Sequence, residues 1–134
     1  MPDRLARGLL DPSVIIDLDR LDVTKLPEEI AISTITLAEL SAGPSAATDE
    51  SERARRQDRL QRTEATFDPI PFDIEAARAY GRIHAAVASR GRLPRRRFAD
   101  LLIAATALAE QLPLITRNSK DFGGLDRLIS IIEV

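Results

Sequence analysis

The sequence has no cysteine, no tryptophan and a single histidine, His84. The absence of cysteine excludes both a disulfide framework and a thiolate metal site. Aromatic residues make up only 4% of the chain, so platforms on which bases could stack are scarce. The longest uncharged run, Leu101–Ala109, is too short to span a bilayer, and no N-terminal run has secretory length. These absences predict a soluble, cytoplasmic protein with no membrane contact.

What is present is typical of a globular protein. The 134 residues are 44% hydrophobic and 30% charged, which predicts one domain over residues 1–134. The formal net charge of -2 argues against a protein that binds nucleic acid through a basic surface all round, but it does not exclude a basic patch on one face. Five arginines fall within Arg90–Arg97, but arginine is the default cation here, since only Lys25 and Lys120 are lysines.

Apolar strand-like runs alternate with helical patterns along the chain. Strands are predicted in "RGLLD", ending at Asp11, and in "EIAIST", "PLITRN" and "LISIIEV", with "FDPIPF" as an extended edge piece. Helices are predicted in "PSVIIDLDRL", "TLAELSAG", the highly charged "ERARRQDRLQRTEA", from the cap Asp73 to about Ser89, and over roughly Arg97–Gln111. This alternation predicts an α/β fold with a mainly parallel central sheet flanked by helices.

Four acidic residues follow predicted strands or begin predicted helices: Asp11, Glu39, Asp100 and Asp121. Each has a structural explanation when taken alone. Asp11 before Pro12 is typical of a helix N-cap, and Thr36 with Glu39 matches a capping box. Asp100 lies in a first helical turn, where the dipole favours an anion by about 0.3–1 kcal/mol. The "NSKD" segment with Asp121 can be interpreted in the same way.

Together, the four acids indicate a site. In a parallel sheet, residues that follow strands meet at the carboxyl edge, where ligands bind. Clustered carboxylates repel one another, and one would protonate unless a cation intervened. Oxygen ligands without histidine or cysteine suit Mg²⁺ or Mn²⁺ and argue against zinc. Such a site is suited to metal-assisted cleavage of phosphodiesters.

The segments "LLDPSVIID", "TLAEL", "ADLLIAATALAEQLPLITRNSKDF" and "LISIIEV" closely resemble a PIN-domain ribonuclease, specifically a VapC-type toxin of a type II toxin–antitoxin module. The resemblance extends from Leu9 to Val134. It implies a PIN-like three-layer fold and an Mg²⁺-dependent endoribonuclease, in which Mn²⁺ may substitute. It also implies a VapB-type antitoxin partner, which could place a basic side chain among the acids, and a homodimer.

Carried over by resemblance, the metal-binding acids of the family fall on Asp11, Glu39, Asp100 and Asp121, and the small polar positions fall on Ser13, Thr116 and Asn118. Asp11 and Asp100 are expected to contact the ion directly. The first motif of the family commonly reads Asp-Thr-Ser, whereas here it reads Asp11-Pro12-Ser13. Proline has neither a hydroxyl nor an N–H, so a hydrogen bond beside the metal could be lost.

The mechanism implied is hydrolysis of RNA by a metal-activated water. Because this attack makes no use of a 2′-hydroxyl, the products are expected to carry 5′-phosphate and 3′-hydroxyl ends. Candidates for contacting the RNA phosphates share a basic segment; they are Arg90, Arg92, Arg95, Arg96 and Arg97. For each arginine alone, a solvated charged loop is an equally good interpretation.

Other interpretations remain open at this level. An inactive PIN-like module that binds RNA or protein would retain the fold without cleavage. A phosphoacceptor receiver also has strand-end aspartates, but it should have paired acids after its first strand and a lysine after a late strand, and the sequence offers neither. His84 is interpreted as a surface or boundary residue, and Tyr80 as a packing residue, although a tyrosine could stack on a base.

Overall fold

The computed structural model describes residues 4–92 and 94–134, apart from the side chain of Arg96. The strands are β1 (Arg7–Leu10), β2 (Glu29–Ala31), β3 (Leu114–Thr116) and β4 (Ile131–Glu133). The helices are α1 (Pro12–Ile16), α2 (Thr34–Ala46), α3 (Glu50–Thr66), α4 (Ile74–Ser89) and α5 (Phe98–Glu110). Short 3₁₀ turns cover Leu18–Arg20, Val23–Lys25, Pro94–Arg97 and Ser119–Phe122. In the described residues, no helix has the length and hydropathy needed to cross a membrane.

The four strands form one parallel sheet in the order β2-β1-β3-β4. Both central strands are buried, as expected for a parallel sheet covered on two faces. Leu9 and Leu10 are adjacent in β1 and point to opposite faces, because side chains alternate along a strand. Leu9 packs into a core with α4 and α5, and Leu10 packs into a second core that includes residues of α1, α2 and α3. The predicted α/β fold with helices on both faces is confirmed.

The first helix is shorter than predicted. It begins at Pro12, as expected, but ends at Ile16, and the chain continues as a 3₁₀ turn over Leu18–Arg20. The backbone N–H of Arg20 bonds to the carbonyl of Asp17, three residues back, at 2.8 Å. Ile16 is 50% exposed, so this side of the segment has little apolar contact to hold a longer helix in place.

The second helix is longer than predicted, because it continues through Pro44 to Ala46. Two arginines of α3 satisfy carbonyls at its end. Arg56 donates to the carbonyl of Gly43 at 3.0 Å, and Arg53 donates to that of Pro44 at 3.2 Å. The carbonyls that lack partners in the last turn of a helix are thus bound by its neighbour.

The helix α2 also begins earlier than the predicted capping box requires. Ser33, which is fully buried, is the N-cap, and its hydroxyl accepts a hydrogen bond from the backbone N–H of Thr36 at 3.1 Å. Glu39 therefore lies in the second turn rather than the first. The capping-box interpretation of Thr36 and Glu39 is wrong, and the carboxylate of Glu39 is not used to cap the helix.

Helix α5 lies close to its predicted bounds and crosses the first core. Six of its residues are buried: Leu101, Ile103, Ala104, Ala105, Thr106 and Ala107. It ends at Glu110, and its C-cap, Gln111, adopts the left-handed conformation with φ of 56° before the chain enters β3. Because α5 is anchored along most of its length, the orientation of its first turn, which carries Asp100, is fixed.

Candidate active site

Asp11 lies at the carboxyl end of β1 and is only 5% exposed. Its backbone N–H bonds to the carbonyl of Ile115 in β3 at 3.1 Å. One carboxylate oxygen accepts hydrogen bonds from the hydroxyl of Ser13 at 2.5 Å and from the N–H of Val14 at 3.3 Å. The other accepts the hydroxyl of Thr116 at 2.7 Å. Three donors thus hold Asp11 in one orientation, even though proline follows it.

The hydroxyls of Ser13 and Thr116 also act as acceptors. Ser13 accepts the backbone N–H of Arg117 at 3.0 Å, and Thr116 accepts the N–H of Asn118 at 3.0 Å. These bonds connect the beginning of α1 to the segment that follows β3. Asn118 is exposed, and in the described residues its backbone N–H, not its amide side chain, makes the contact with this network. Ser13 and Thr116 therefore lie beside Asp11 and hydrogen-bond to it.

Glu39 and Asp100 approach Asp11 from two different helices. Partial burial raises the pKa of the Glu39 carboxyl, and the negative charges of Asp100 and Asp11 raise it further, although Glu39 still exposes part of its surface to solvent. Burial likewise raises the pKa of Asp100, followed by the charges of Asp121 and Asp11. Asp11 and Asp100 are thus within electrostatic range of each other and of Glu39, and Asp121 is within range of Asp100, although the four acids come from four separate segments.

Asp121 completes the acidic group from the 3₁₀ turn after β3. Its carboxylate forms an ion pair with Arg97 at 3.0 Å, and the same guanidinium lies 3.9 Å from a carboxylate oxygen of Asp100. The positive charge of Arg97 lowers the pKa of Asp100, but this contribution is smaller than those that raise it. Arg97 is therefore a partial counter-ion for the acids and leaves them with unneutralised charge.

The donor set suits a hard cation that shares its coordination with water and phosphate. All four acids supply oxygen. Burial is the main cause of the raised pKa values of Glu39 and Asp100, and repulsion from neighbouring acids, which a cation would relieve, adds to it. Across residues 4–92 and 94–134, no three Asp, Glu or His side chains form a metal-binding group by themselves. Mg²⁺ needs no such cage, because it is usually held by one or two carboxylates together with water and substrate phosphate.

The arginines predicted to contact RNA have different neighbours in the structure. Arg97 contacts the acids, whereas the guanidinium of Arg92 lies against Gly123 and that of Arg90 against Gly124. Arg95 is exposed in the 3₁₀ turn before α5, and the side chain of Arg96 lies outside the described residues. The structure thus brings Arg97 to the acids and distributes Arg90 and Arg92 along the segment after Asp121.

Two further predictions concern His84 and Tyr80, and one residue, Ser33, was not predicted. His84 is exposed, and Tyr80 is partly buried and packs edge-on against Phe98 with ring centroids 5.9 Å apart, which confirms both interpretations. The sequence analysis missed Ser33, which begins the helix that carries Glu39. Its signal was present, because Ser33 precedes Thr36 by the three-residue spacing of a capping contact. Thr36 also fits the pattern of an N-cap, because Glu39 follows it at capping-box spacing, and the sequence alone did not distinguish the two positions.

The protein-family model described as PIN domain matches residues 9–128. Ribonuclease VapC5 of Mycobacterium tuberculosis is 39% identical over 129 residues, which cover 94% of this chain and 93% of the relative. Ribonuclease VapC of Rickettsia bellii is 31% identical over 128 residues, covering 90% and 91% of the two chains.

A solved structure shares the same overall form. The crystal structure of VapBC-5, a member of the VapBC family of toxin–antitoxin systems from Mycobacterium tuberculosis, matches with a TM-score of 0.85 and 39% identity. The match covers 96% of this chain and 99% of that chain. The structural likeness therefore extends over both cores and the acidic edge of the sheet.

Proposed function

The chain belongs to the PIN-domain family, among the VapC ribonucleases, and on this basis we propose that it is the toxin of a type II toxin–antitoxin module, an Mg²⁺-dependent endoribonuclease. The observation that carries the proposal is the convergence of four acids at the carboxyl edge, where two of them have raised pKa values. The relatives are named ribonucleases, which favours a nuclease over an inactive RNA- or protein-binding module.

The four acids would divide the binding of the metal among them. Asp11 and Asp100 would hold the metal directly, Glu39 would complete its binding, and Asp121 would serve as an outer or second-metal ligand through water. A bound Mg²⁺ would supply Lewis acidity, lower the pKa of a water and stabilise charge on the leaving oxygen. Mn²⁺ is expected to substitute, because it also prefers oxygen ligands.

The supporting residues orient these acids. The hydroxyls of Ser13 and Thr116 fix the two oxygens of Asp11, so the carboxylate needs no reorganisation when its ligand arrives. The backbone of Asn118 fixes Thr116 in turn. Arg97 forms an ion pair with Asp121, and its guanidinium could exchange that carboxylate for an RNA phosphate, since guanidinium groups bind both kinds of anion.

The partners follow from the relatives. The solved relative is part of a VapBC toxin–antitoxin system, so we expect a VapB-type antitoxin to bind this chain and to inhibit it. A basic side chain of that partner would complete the neutralisation of the acids, which Arg97 alone leaves unfinished. We also expect a homodimer.

The deciding experiment incubates the purified chain with structured RNAs in Mg²⁺, in Mn²⁺ and in chelator, beside the variant Asp100→Asn. Cleavage is expected only with a divalent metal and only with the intact acid, and its products should carry 5′-phosphate and 3′-hydroxyl ends. Cleavage in chelator, full activity of the variant, or cyclic 2′,3′-phosphate ends would contradict the mechanism.

A further inference from the structure

A cavity of about 410 Å³ lies beside the C-terminal part of α4, at the segment that follows Asp121. Three arginines line it: Arg82 and Arg90 from α4 and its C-cap, and Arg127 from the loop before β4. No aspartate or glutamate is among the lining residues. The cavity therefore combines three cations from two distant parts of the sequence in one open depression.

These arginines also lack the ion pairs that most others form. Within residues 4–92 and 94–134, none of Arg82, Arg90 and Arg127 lies within ion-pair distance of a carboxylate. By contrast, four arginines of α3 and Arg78 of α4 pair with acids of their own helix. The helix dipole accounts for a cation at the C-cap, Arg90, but not for Arg82 two turns earlier or for Arg127.

A second, smaller cavity of about 30 Å³ connects this region to the acids. Arg92, Arg97, Asp121 and Gly123 are among its lining residues, whereas the larger cavity is lined by the next residue, Gly124. The backbone turn Gly123–Leu125 thus contributes to the lining of both cavities. Arginine side chains continue from Asp121, through Arg97 and Arg92, to the three arginines of the larger cavity.

Gly123 and Gly124 leave room for the arginine side chains along this path, which line the two cavities. A Cβ at Gly123 would lie 3.1–3.2 Å from the guanidinium nitrogens of Arg92, and a Cβ at Gly124 would lie 3.4 Å from the side chain of Arg90. Gly124 also has φ of 91°, a conformation that other residues rarely adopt. Arg92 and Arg90 therefore lie directly against the backbone of the turn.

We propose that Arg82, Arg90 and Arg127 form a phosphate-binding site for the RNA strand, away from the scissile bond, and that Arg92 connects this site to the acids. The proposal rests on the proposed function in one respect, namely that the polymer is RNA. Guanidinium groups bind phosphate in a bidentate manner, and contacts of this kind position a nucleic acid without reading its bases. The path favours a polyphosphate strand over an acidic peptide, because it ends at acids that handle phosphodiesters.

The test compares two double variants with the same loss of charge. R82Q/R127Q removes two cations of the site, whereas R53Q/R55Q removes two cations from α3 that pair with Glu50 and Glu52. Binding of a labelled single-stranded RNA of about 20 nucleotides, longer than the site size of one small domain, is measured by fluorescence anisotropy in chelator. Without divalent metal the strand is not cut, so the measurement reports affinity alone. All the changed residues lie on the surface, and circular dichroism verifies their folding.

The expected result is a weaker affinity and a smaller salt dependence for R82Q/R127Q only. Each lost phosphate contact lowers the slope of log affinity against log salt by about 0.7 for a single strand, so two contacts lower it by about 1.4. An unchanged slope, or an equal fall in R53Q/R55Q, would overturn the proposal. It would also be overturned if R82Q/R127Q lost binding to polyglutamate but kept its affinity for RNA.

Cleavage by the unmodified chain in Mg²⁺ is a separate readout. If it fails while R82Q/R127Q still shows the specific loss of RNA affinity, the proposed nuclease is wrong and the phosphate site stands. If cleavage succeeds, R82Q/R127Q should raise KM at least several-fold and leave kcat unchanged, because the site binds the strand equally in the ground and transition states.

Discussion

Helix α3 and the carboxyl edge of the sheet are both rich in charge, yet they arrange it in opposite ways. On α3, Arg53 pairs with Glu50 at 2.7 Å, and Arg55 and Arg56 pair with Glu52 at 2.6 and 3.0 Å. At the sheet edge, Arg97 pairs with Asp121 and lies near Asp100, whereas Arg82, Arg90 and Arg127 line a cavity at Gly124 and form no ion pairs within the described residues.

The difference shows that arrangement, and not composition, separates a solvated face from a site. Charges that are paired one helical turn apart satisfy one another and leave little field for a ligand. At the sheet edge, burial raises the pKa values of Glu39 and Asp100, and the charges of neighbouring acids raise them further. Repulsion among these acids costs stability, and a bound cation would relieve it.

Removing one acid from each region is expected to give the largest difference in RNA cleavage between them. Asp100→Asn is expected to lower RNA cleavage by at least about 100-fold, because loss of this proposed metal ligand should exceed the 10–100-fold cost of a supporting residue. Glu52→Gln, which unpairs two arginines of α3, should leave cleavage unchanged. Initial rates on one RNA under saturating Mg²⁺ provide the measurement. Equal losses in both variants would remove the distinction between the regions.

The buried hydroxyl of Thr116 provides a comparison of stability. Thr116→Val removes the donor to the buried Asp11 and the acceptor of the Asn118 N–H, so the free energy of unfolding should fall by about 2–3 kcal/mol. Thr24→Val removes an analogous hydroxyl contact, at 2.6 Å, to the exposed Asp22. Because water replaces that partner, its cost should stay below about 0.5 kcal/mol.

Denaturant unfolding in chelator measures both variants. Similar costs for the two threonines would indicate that Asp11 is not held by its buried network. A larger cost for Thr116→Val, together with slower cleavage, is the expected pattern.

The metal-free protein should gain stability when the acidic group loses a charge. The pKa of Asp100 is above its ordinary value of 3.8 and that of Glu39 above 4.5, so the folded state holds protons more tightly than the unfolded state. Their contribution to stability is complete below the ordinary values and is lost as pH rises through the raised ones. Asp100→Asn is therefore expected to raise Tm at neutral pH by about 4 °C, on the order of 1 kcal/mol.

Thermal unfolding in chelator between about pH 4 and 7, the window that begins at the ordinary pKa values of these acids, measures this effect. The gain in Tm should shrink towards the acidic end, where the native acid is already neutral. Added Mg²⁺ should stabilise the unmodified chain and not the variant. A variant that is less stable at neutral pH would contradict the repulsion.

The smallest effect is expected on α3. Arg62→Gln breaks exposed pairs with Asp58 at 3.1 Å and Asp19 at 3.6 Å, and should lower the free energy of unfolding by no more than about 0.5 kcal/mol. The loss should vanish at high salt, because exposed pairs are screened. A loss above about 1 kcal/mol would show that this face does more than interact with solvent.

The sequence predicted the sheet, most helices and the convergence of the acids, because these depend on local periodicity and on a rule of parallel-sheet geometry. The sequence-based prediction failed where a contact with another element of the fold determines the structure. The end of α2 depends on Arg53 and Arg56, whose reach to its carbonyls is a tertiary contact. The position of Arg97 between Asp100 and Asp121 likewise depends on how the 3₁₀ turn after β3 packs, which no local pattern encodes.

The bond between Thr116 and Asp11 joins residues 105 positions apart, and it has a consequence for synthesis on the ribosome. Strands β1 and β2 emerge early, but β3, which binds the other edge of β1, emerges only when most of the chain has been made. At about 5–20 residues per second, a nascent chain spends several seconds with Asp11 in place but without Asp100, Thr116 or Asp121. The group of four acids is therefore incomplete until the last quarter of the chain leaves the exit tunnel.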